Sequence, residues 1–205
     1  MNREQVGPAP DRGDALLVVD VQNDFLPGGA LGIAGGDAIL APLNRLLDAW
    51  RTRGLPVILS RDWHPAGHCS FHPQGGPWPD HCVAGTRGAD FDTRLHRSPD
   101  DLVISKATEP GRDAYSALDG TPLAAELDRR GIRRLFVAGL ATDYCVRATG
   151  SDARRAGLDV VVLRDAVAAV EARPGDGERA VGELAASGCT IVTTDDVLAA
   201  METPG

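Results

Sequence analysis

Short apolar runs rich in β-branched residues recur along the chain at intervals that suit alternating strands and helices. They are Leu16 to Val19, Val57 to Leu59, Leu102 to Ser105, Leu135 to Ala138, Val160 to Leu163 and Thr190 to Thr193. Because most of these runs are nearly continuous in apolar character, they are typical of strands buried on both faces of a parallel sheet.

Amphipathic stretches lie between these runs, and each one is followed by a glycine that suits a helix C-terminus. The predicted helices are Asp37 to Arg53, Pro122 to Arg130, Asp143 to Ala156 and Asp176 to Ser187. Alternating strands and helices predict an α/β sandwich with a doubly wound sheet. Without an internal repeat or a second pattern, residues 1–205 are predicted to form one domain.

The segment from Arg61 to Pro99 breaks this rhythm. It is rich in Gly, Pro and His and has neither a helical nor a strand period. Loops of this length are usually functional or disordered, and its histidines and tryptophans favour function. We therefore treat residues 61–99 as a loop insertion that carries part of a site.

Composition narrows the class of protein. The chain of 205 residues is 43% hydrophobic and 24% charged, which argues against a disordered, fibrous or membrane protein. The net charge of -8 disfavours nucleic acid and anionic membranes as partners. The first fourteen residues are polar and unlike a signal peptide, so we expect a cytoplasmic protein with reduced cysteines.

Ligands of an open α/β sheet bind beyond the carboxyl ends of its strands, so the residues that follow each strand are the candidates. Asp20 follows the first strand, where no G-x-G-x-x-G pattern supports a dinucleotide site. Asp20 could equally cap a local backbone amide.

Asp62, His64 and His81 lie in or next to the long loop and suit a catalytic metal such as zinc or ferrous iron. His68 and His72 could supply a further ligand or support the ligands from behind. A structural zinc site at Cys69 and Cys82 is the weaker alternative, because the chain has no C-x-x-C pair.

Two more residues complete a possible nucleophilic site. Lys106 ends the third strand and is the only lysine among 21 basic residues, which suggests a position that arginine cannot fill. Cys145 follows the fourth strand near a predicted helix start, which would lower its thiol pKa, although a buried cysteine can also simply fill core volume. Asp20, Lys106 and Cys145 together would make an activated thiol.

Five ordered segments then identify a family resemblance: VVDVQNDFLPGGAL, SRDWHPAGHCSF, WPDHCVAGT, ISKATEP and GLATDYCVRAT. They resemble the nicotinamidase branch of the isochorismatase-like cysteine hydrolases across almost the whole chain. The resemblance implies a three-layer α/β/α sandwich with a six-stranded, mainly parallel, Rossmann-like sheet, and hydrolysis of nicotinamide to nicotinate and ammonia through a thioester.

The same resemblance implies roles for individual residues. Asp20, Lys106 and Cys145 would be the catalytic triad, and Asp62, His64 and His81 would hold one divalent metal, zinc foremost, with iron or manganese as alternatives. The backbone amides of Ala141 and Cys145 would form an oxyanion hole beside a cis Leu140-Ala141 peptide. Candidates to line a pocket for a small aromatic amide are Phe25, Trp78 and Tyr115.

Other readings remain open at this point. An isochorismatase of this superfamily would lack the nucleophilic Cys145, and an N-carbamoyl amidase would lack the metal loop. A non-catalytic metal-binding scaffold would not need the triad. The family often has Gly-Phe where this chain has Ala117-Leu118, which leaves the pocket size undetermined, and a homo-oligomer is possible.

Overall fold

Six parallel strands form one sheet in this computed structural model, which describes residues 8–202. Residues 1–7 of the polar N-terminal segment therefore lie outside the described residues. The strands are β1 (Asp14–Val19), β2 (Val57–Asp62), β3 (Leu102–Lys106), β4 (Arg134–Leu140), β5 (Asp159–Ala168) and β6 (Thr190–Val192). Their spatial order is β3-β2-β1-β4-β5-β6, the doubly wound order of Rossmann-like sheets.

Helices cover both faces of this sheet. They are α1 (Leu40–Thr52), α2 (Leu123–Arg129), α3 (Arg147–Arg155), α4 (Asp176–Ala186) and α5 (Thr194–Glu202). Apolar residues of α1 and α5 pack with Leu16 and Val18 of β1 on one face, whereas α2, α3 and α4 pack with Leu17 and Val19 on the other. Alternate side chains of the central strand therefore pack into two cores, one on each face of the sheet. The predicted three-layer sandwich is confirmed.

The predicted elements differ from the observed ones mainly at their ends. All six strands exist, and β5 continues to Ala168, five residues beyond the predicted end. The helix predicted from Asp143 begins instead with a π-helical turn, Thr142–Val146, before α3. Helix α5 was not predicted at all.

The strand order determines where the ends of the central strands meet. Strand order reverses between β1 and β4, so the residues that follow these two strands lie side by side. From β2 to β3 the chain runs through residues 63–101 without an α-helix, making only short 3-10 turns at His72–Gln74 and Arg87–Ala89. Within residues 8–202, no helix is long and apolar enough to cross a membrane.

Candidate active site

Lys106 is the buried cation around which the site is arranged. Its side chain leaves the end of β3 and is 1% exposed. The Nζ atom lies 3.0 Å from Asp20 Oδ2 and 3.5 Å from Cys145 Sγ, and it also contacts Asp62 Oδ1. Two carboxylates and a thiol, from residues distant in sequence, therefore share one ammonium.

Asp20 is held as a buried carboxylate at the end of β1. Ser60 Oγ donates a hydrogen bond of 2.7 Å to Oδ1, while Oδ2 faces Lys106. Burial raises the pKa of Asp20 to about 6, against the opposing effect of the Lys106 ammonium. Near neutral pH this carboxylate is thus ionised yet basic enough to accept a proton.

Cys145 lies in the π-helical turn between β4 and α3 and is 5% exposed. Burial raises the pKa of its thiol well above the ordinary value, although Lys106 favours the thiolate. The expectation that the helix start lowers this pKa is therefore wrong, because loss of hydration outweighs the nearby cation. The resting group is a thiol, and it needs a base to become a nucleophile.

Asp62, His64 and His81 form a buried group whose ligand atoms all lie within 4.8 Å of one another. The Nδ1 atom of His64 lies 3.0 Å from the His81 carbonyl, and that of His81 lies 2.8 Å from the Pro79 carbonyl. These contacts fix the orientation of both rings and leave the Nε2 atom of each ring to coordinate a metal ion. Burial lowers the pKa of His64 to about 4, so its ring is neutral and able to coordinate at physiological pH.

Gln22 holds Asp62 in place, a role that the sequence analysis did not assign. The Gln22 Nε2 donates to the Asp62 carbonyl at 2.8 Å, and Oε1 accepts from the Asp62 amide at 2.8 Å. A third bond of 2.9 Å joins Nε2 to the Ala89 carbonyl in the long loop. The fully buried amide therefore ties the turn after β1 to both the end of β2 and the long loop between β2 and β3.

The other histidines and the cysteines of the long loop do not join the group of three candidate ligands. Both ring nitrogens of buried His68 have partners, Ser70 Oγ at 2.8 Å and the Arg112 carbonyl at 3.0 Å. His68 and Asp113 could form another group with His64, but these bonds favour a supporting role for His68. His72 is exposed, and in the described chain neither Cys69 nor Cys82 belongs to a potential metal group.

The peptide between Leu140 and Ala141 is cis, as the resemblance implied. Gly139 precedes it with φ 113°, and a Cβ there would lie 2.0 Å from the Val19 carbonyl oxygen. Only glycine fits this approach of β4 to β1. Within residues 8–202, the Ala141 amide has no hydrogen-bond acceptor, which leaves it available to an oxyanion next to Cys145.

A small, mainly apolar pocket opens onto Cys145. Phe25, Trp78 and Tyr115, the three predicted residues, all line it, and Trp78 Nε1 donates a 3.0 Å hydrogen bond to Tyr115 Oη. The remaining lining residues are Leu31, Asp62, His81, Ala141, Tyr144 and Val170. Ala117 and Leu118, the departure from the family pattern, are not among them and pack instead in the core cluster against which Tyr115 also packs.

Left-handed backbone in non-glycine residues is concentrated around this site. Within the described chain it occurs at Asp20, Cys82, Ala107 and Glu171, with φ between 45° and 56°. The last three directly follow His81, Lys106 and Val170. Such conformations persist where the surrounding structure enforces them, as at functional sites.

Comparison with known proteins agrees with this geometry. The family model described as the isochorismatase domain matches residues 14–196. A nicotinamidase from Escherichia coli is 40% identical over 203 residues, covering 89% of this chain and 95% of the relative.

Two solved structures are also similar. A pyrazinamidase of Pyrococcus horikoshii in complex with zinc is 46% identical, with a TM-score of 0.85, and covers 88% of this chain and 99% of its own. PnC1 from L. infantum in complex with nicotinate is 38% identical, with a TM-score of 0.85, and covers 92% and 97% of the two chains.

Proposed function

Because the chain belongs to the isochorismatase domain family, we propose that it is an amidohydrolase that converts nicotinamide to nicotinate and ammonia. One observation carries the proposal: the thiol of Cys145 lies beside Lys106 and Asp20 at a pocket walled by aromatic residues. A flat heterocycle suits such walls. The nicotinamidase of Escherichia coli and the nicotinate complex of PnC1 support this choice of substrate.

The reaction begins with the transfer of the Cys145 thiol proton to the Asp20 carboxylate. Sulfur then attacks the carboxamide carbon and forms a C–S bond, while the amides of Ala141 and Cys145 bind the developing oxyanion. Asp20 returns its proton to the amide nitrogen, the C–N bond breaks and ammonia leaves. A thioester on Cys145 remains.

Water completes the cycle at the same base. Asp20 takes a proton from the water as its oxygen attacks the thioester carbon, the C–S bond breaks and sulfur recovers a proton. Nicotinate is then released. The Lys106 ammonium stabilises the negative charge that moves between Asp20 and Cys145 in both halves of the reaction.

Asp62, His64 and His81 would hold one divalent metal, and their three-ligand set of one carboxylate and two imidazoles fits zinc. The zinc complex of the Pyrococcus horikoshii pyrazinamidase supports this identity. When bound, the metal would supply a Lewis acid for the pyridine nitrogen. Asp62 and His81 both line the ring pocket, so these residues also help to orient the substrate.

The nucleophile is tested by Cys145→Ala. We expect the turnover of nicotinamide, measured as the rate of ammonia release, to fall by more than about a hundredfold. Nicotinate should still bind, because only the covalent step is lost. Cys189→Ala is the matched control, since Cys189 is also buried but packs in the core near α4. If Cys145→Ala retains more than a hundredth of the rate, the thioester route is wrong.

A further inference from the structure

We propose that the segment 168–176, named here the strap, determines which ring substituents the pocket accepts, and that Asp143 is the residue that positions it. The strap connects the end of β5 to the start of α4 and contributes Val170 to the pocket wall. This inference rests on the proposed function, because it concerns the selectivity of the same pocket.

Val170 is the apolar side chain at the pocket rim. It is 36% exposed, and no other large hydrophobic side chain among residues 8–202 is as exposed. It lines the same pocket as Tyr144 and Cys145. An apolar group that meets both solvent and the pocket can touch a bound ring without being required for the core.

Asp143 fastens the strap to the turn that carries the nucleophile. Its Oδ1 accepts a hydrogen bond from the Val170 amide at 2.9 Å, and its Oδ2 accepts one from the Glu171 amide at 3.0 Å. Asp143 is 7% exposed and lies two residues before Cys145. Buried charge-assisted bonds of this kind are strong, so Val170 is held at a fixed distance from Cys145.

The far end of the strap is fastened as firmly. Glu171 adopts φ 56°, and its carboxylate accepts hydrogen bonds from the amides of Gly175 at 2.5 Å and Gly177 at 2.9 Å. A Cβ on Gly177 would lie 2.7 Å from the Ala169 Cβ, so α4 approaches the strap closely. At its start, Ala168 still pairs with Leu140 in the sheet. The strap is therefore a rigid wall rather than a lid.

A polar groove also borders the strap, at Ala172, Arg173 and Asp176. It is lined by Arg147, Arg173 and Arg179 together with Asp143 and Tyr144, whereas the ring pocket is mainly apolar. Tyr144 lines both spaces, whereas Val170 lines only the ring pocket and Arg173 only the groove. A rigid wall of this kind discriminates by size, since one methyl group in a fixed apolar pocket changes kcat/KM by roughly 10-fold to 200-fold.

Val170 variants test the size limit directly. We would measure kcat/KM for nicotinamide and for its 5-methyl and 6-methyl derivatives, and Kd for the corresponding nicotinates. Val170→Ala should raise the ratio of at least one methylated amide to nicotinamide by about tenfold or more, and Val170→Phe should lower that ratio. Val181→Ala is the control, because Val181 lies on α4 outside the pocket lining.

Asp143→Asn tests the positioning role. The amide keeps one acceptor but cannot serve both backbone N–H groups, so the strap loosens. We expect the methyl selectivity to shift in the direction of Val170→Ala, with a larger effect on KM than on kcat. Asp165→Asn is the matched control. Asp165 also accepts two hydrogen bonds, from the amide and the hydroxyl of Thr194, but these bonds lie at the start of α5 and not at the strap. It should leave selectivity unchanged, and Glu171→Ala replaces Asp143→Asn if the latter does not fold.

The two proposals fail in different ways. If the wild-type protein releases no ammonia from nicotinamide, the proposed function fails, yet the Kd values still report which rings fit. If wild type is active and both Val170 variants keep its selectivity within about twofold, the strap does not set specificity. Equal shifts in Asp143→Asn and Asp165→Asn would show that Asp143 only stabilises the fold.

Discussion

The Lys106 ammonium lies 3.0 Å from the Asp20 carboxylate although β2 separates the strands from which the two side chains come. The Lys106 side chain therefore extends past the end of β2 to reach Asp20, and its Nζ atom also contacts Asp62 there. Because all three side chains are buried, water does not screen these contacts. One cation thus links Asp20, the proposed proton acceptor, with Cys145, the proposed nucleophile, and with Asp62, a candidate metal ligand.

Lys106→Arg is expected to lower kcat/KM for nicotinamide by roughly a hundredfold or more, even though the charge is kept. The wider guanidinium would push Asp20 away from Cys145, and a displacement of about 1 Å can cost a factor of that order. Steady-state kinetics on a variant with unchanged circular dichroism measures this. Arg61→Lys, on the neighbouring strand, is the control, and near-wild-type kinetics of Lys106→Arg would remove Lys106 from the mechanism.

The pH profile should report Asp20. Its pKa is raised to about 6 by burial, and only the ionised form accepts a proton, so kcat/KM should fall as pH drops through about 6 and level off above it. Ser60→Ala removes a hydrogen bond that favours the carboxylate, which should move this acidic limb to higher pH. A limb that stays in place in Ser60→Ala would mean that another group titrates.

Removal of a ligand should remove the metal. We expect about one divalent metal ion per chain in wild type, and its loss together with activity in His64→Ala and His81→Ala. Elemental analysis gives the metal content, and His72→Ala is a control because His72 is an exposed histidine of the same loop. Full activity in metal-free protein would make the loop structural only.

Nicotinamide should be preferred to benzamide, which has the same carboxamide and ring size but no ring nitrogen. Asp62 and His81 line the pocket, so a metal held there can reach a ring nitrogen. Comparison of kcat/KM for the two amides, with His81→Ala as a second background, tests this. Equal values in wild type would contradict orientation through the metal.

The strand pattern and the residues at strand ends could be predicted because they depend on local chemistry. Continuous apolar runs gave β1 to β6, and the topology of a parallel sheet brings their carboxyl ends to one edge. Helix α5 was missed, although Thr193 and Asp196 form reciprocal side-chain to backbone bonds at its start. Its nine residues make less than three helical turns, so the apolar pattern was too short to show a helical period, and the capping pattern alone did not reveal the helix.

Other features depend on contacts that no local pattern contains. Val170 lies 25 residues after Cys145, and it is held at the pocket by contacts distant in sequence, among them the bond that its amide donates to Asp143. The Cys145 pKa was predicted in the wrong direction because proximity to a helix start is visible in a sequence, whereas burial of the thiol is not. Gln22 lies within the first of the five family-like segments, but its bonds to Asp62 form only when β1 and β2 pair.

The four left-handed residues around the pocket connect the geometry of this site to the thermal stability of the fold. Each non-glycine residue in that conformation costs about 1–3 kcal/mol, which is a large share of the stability of a typical domain. Selection for thermal tolerance alone would favour relaxing positions such as Ala107 and Glu171, which adjoin Lys106 and Val170. If variants were selected in the laboratory for thermal stability alone, substitutions at these two positions should appear early and should lower catalytic efficiency. Parallel selection for turnover should prevent this loss.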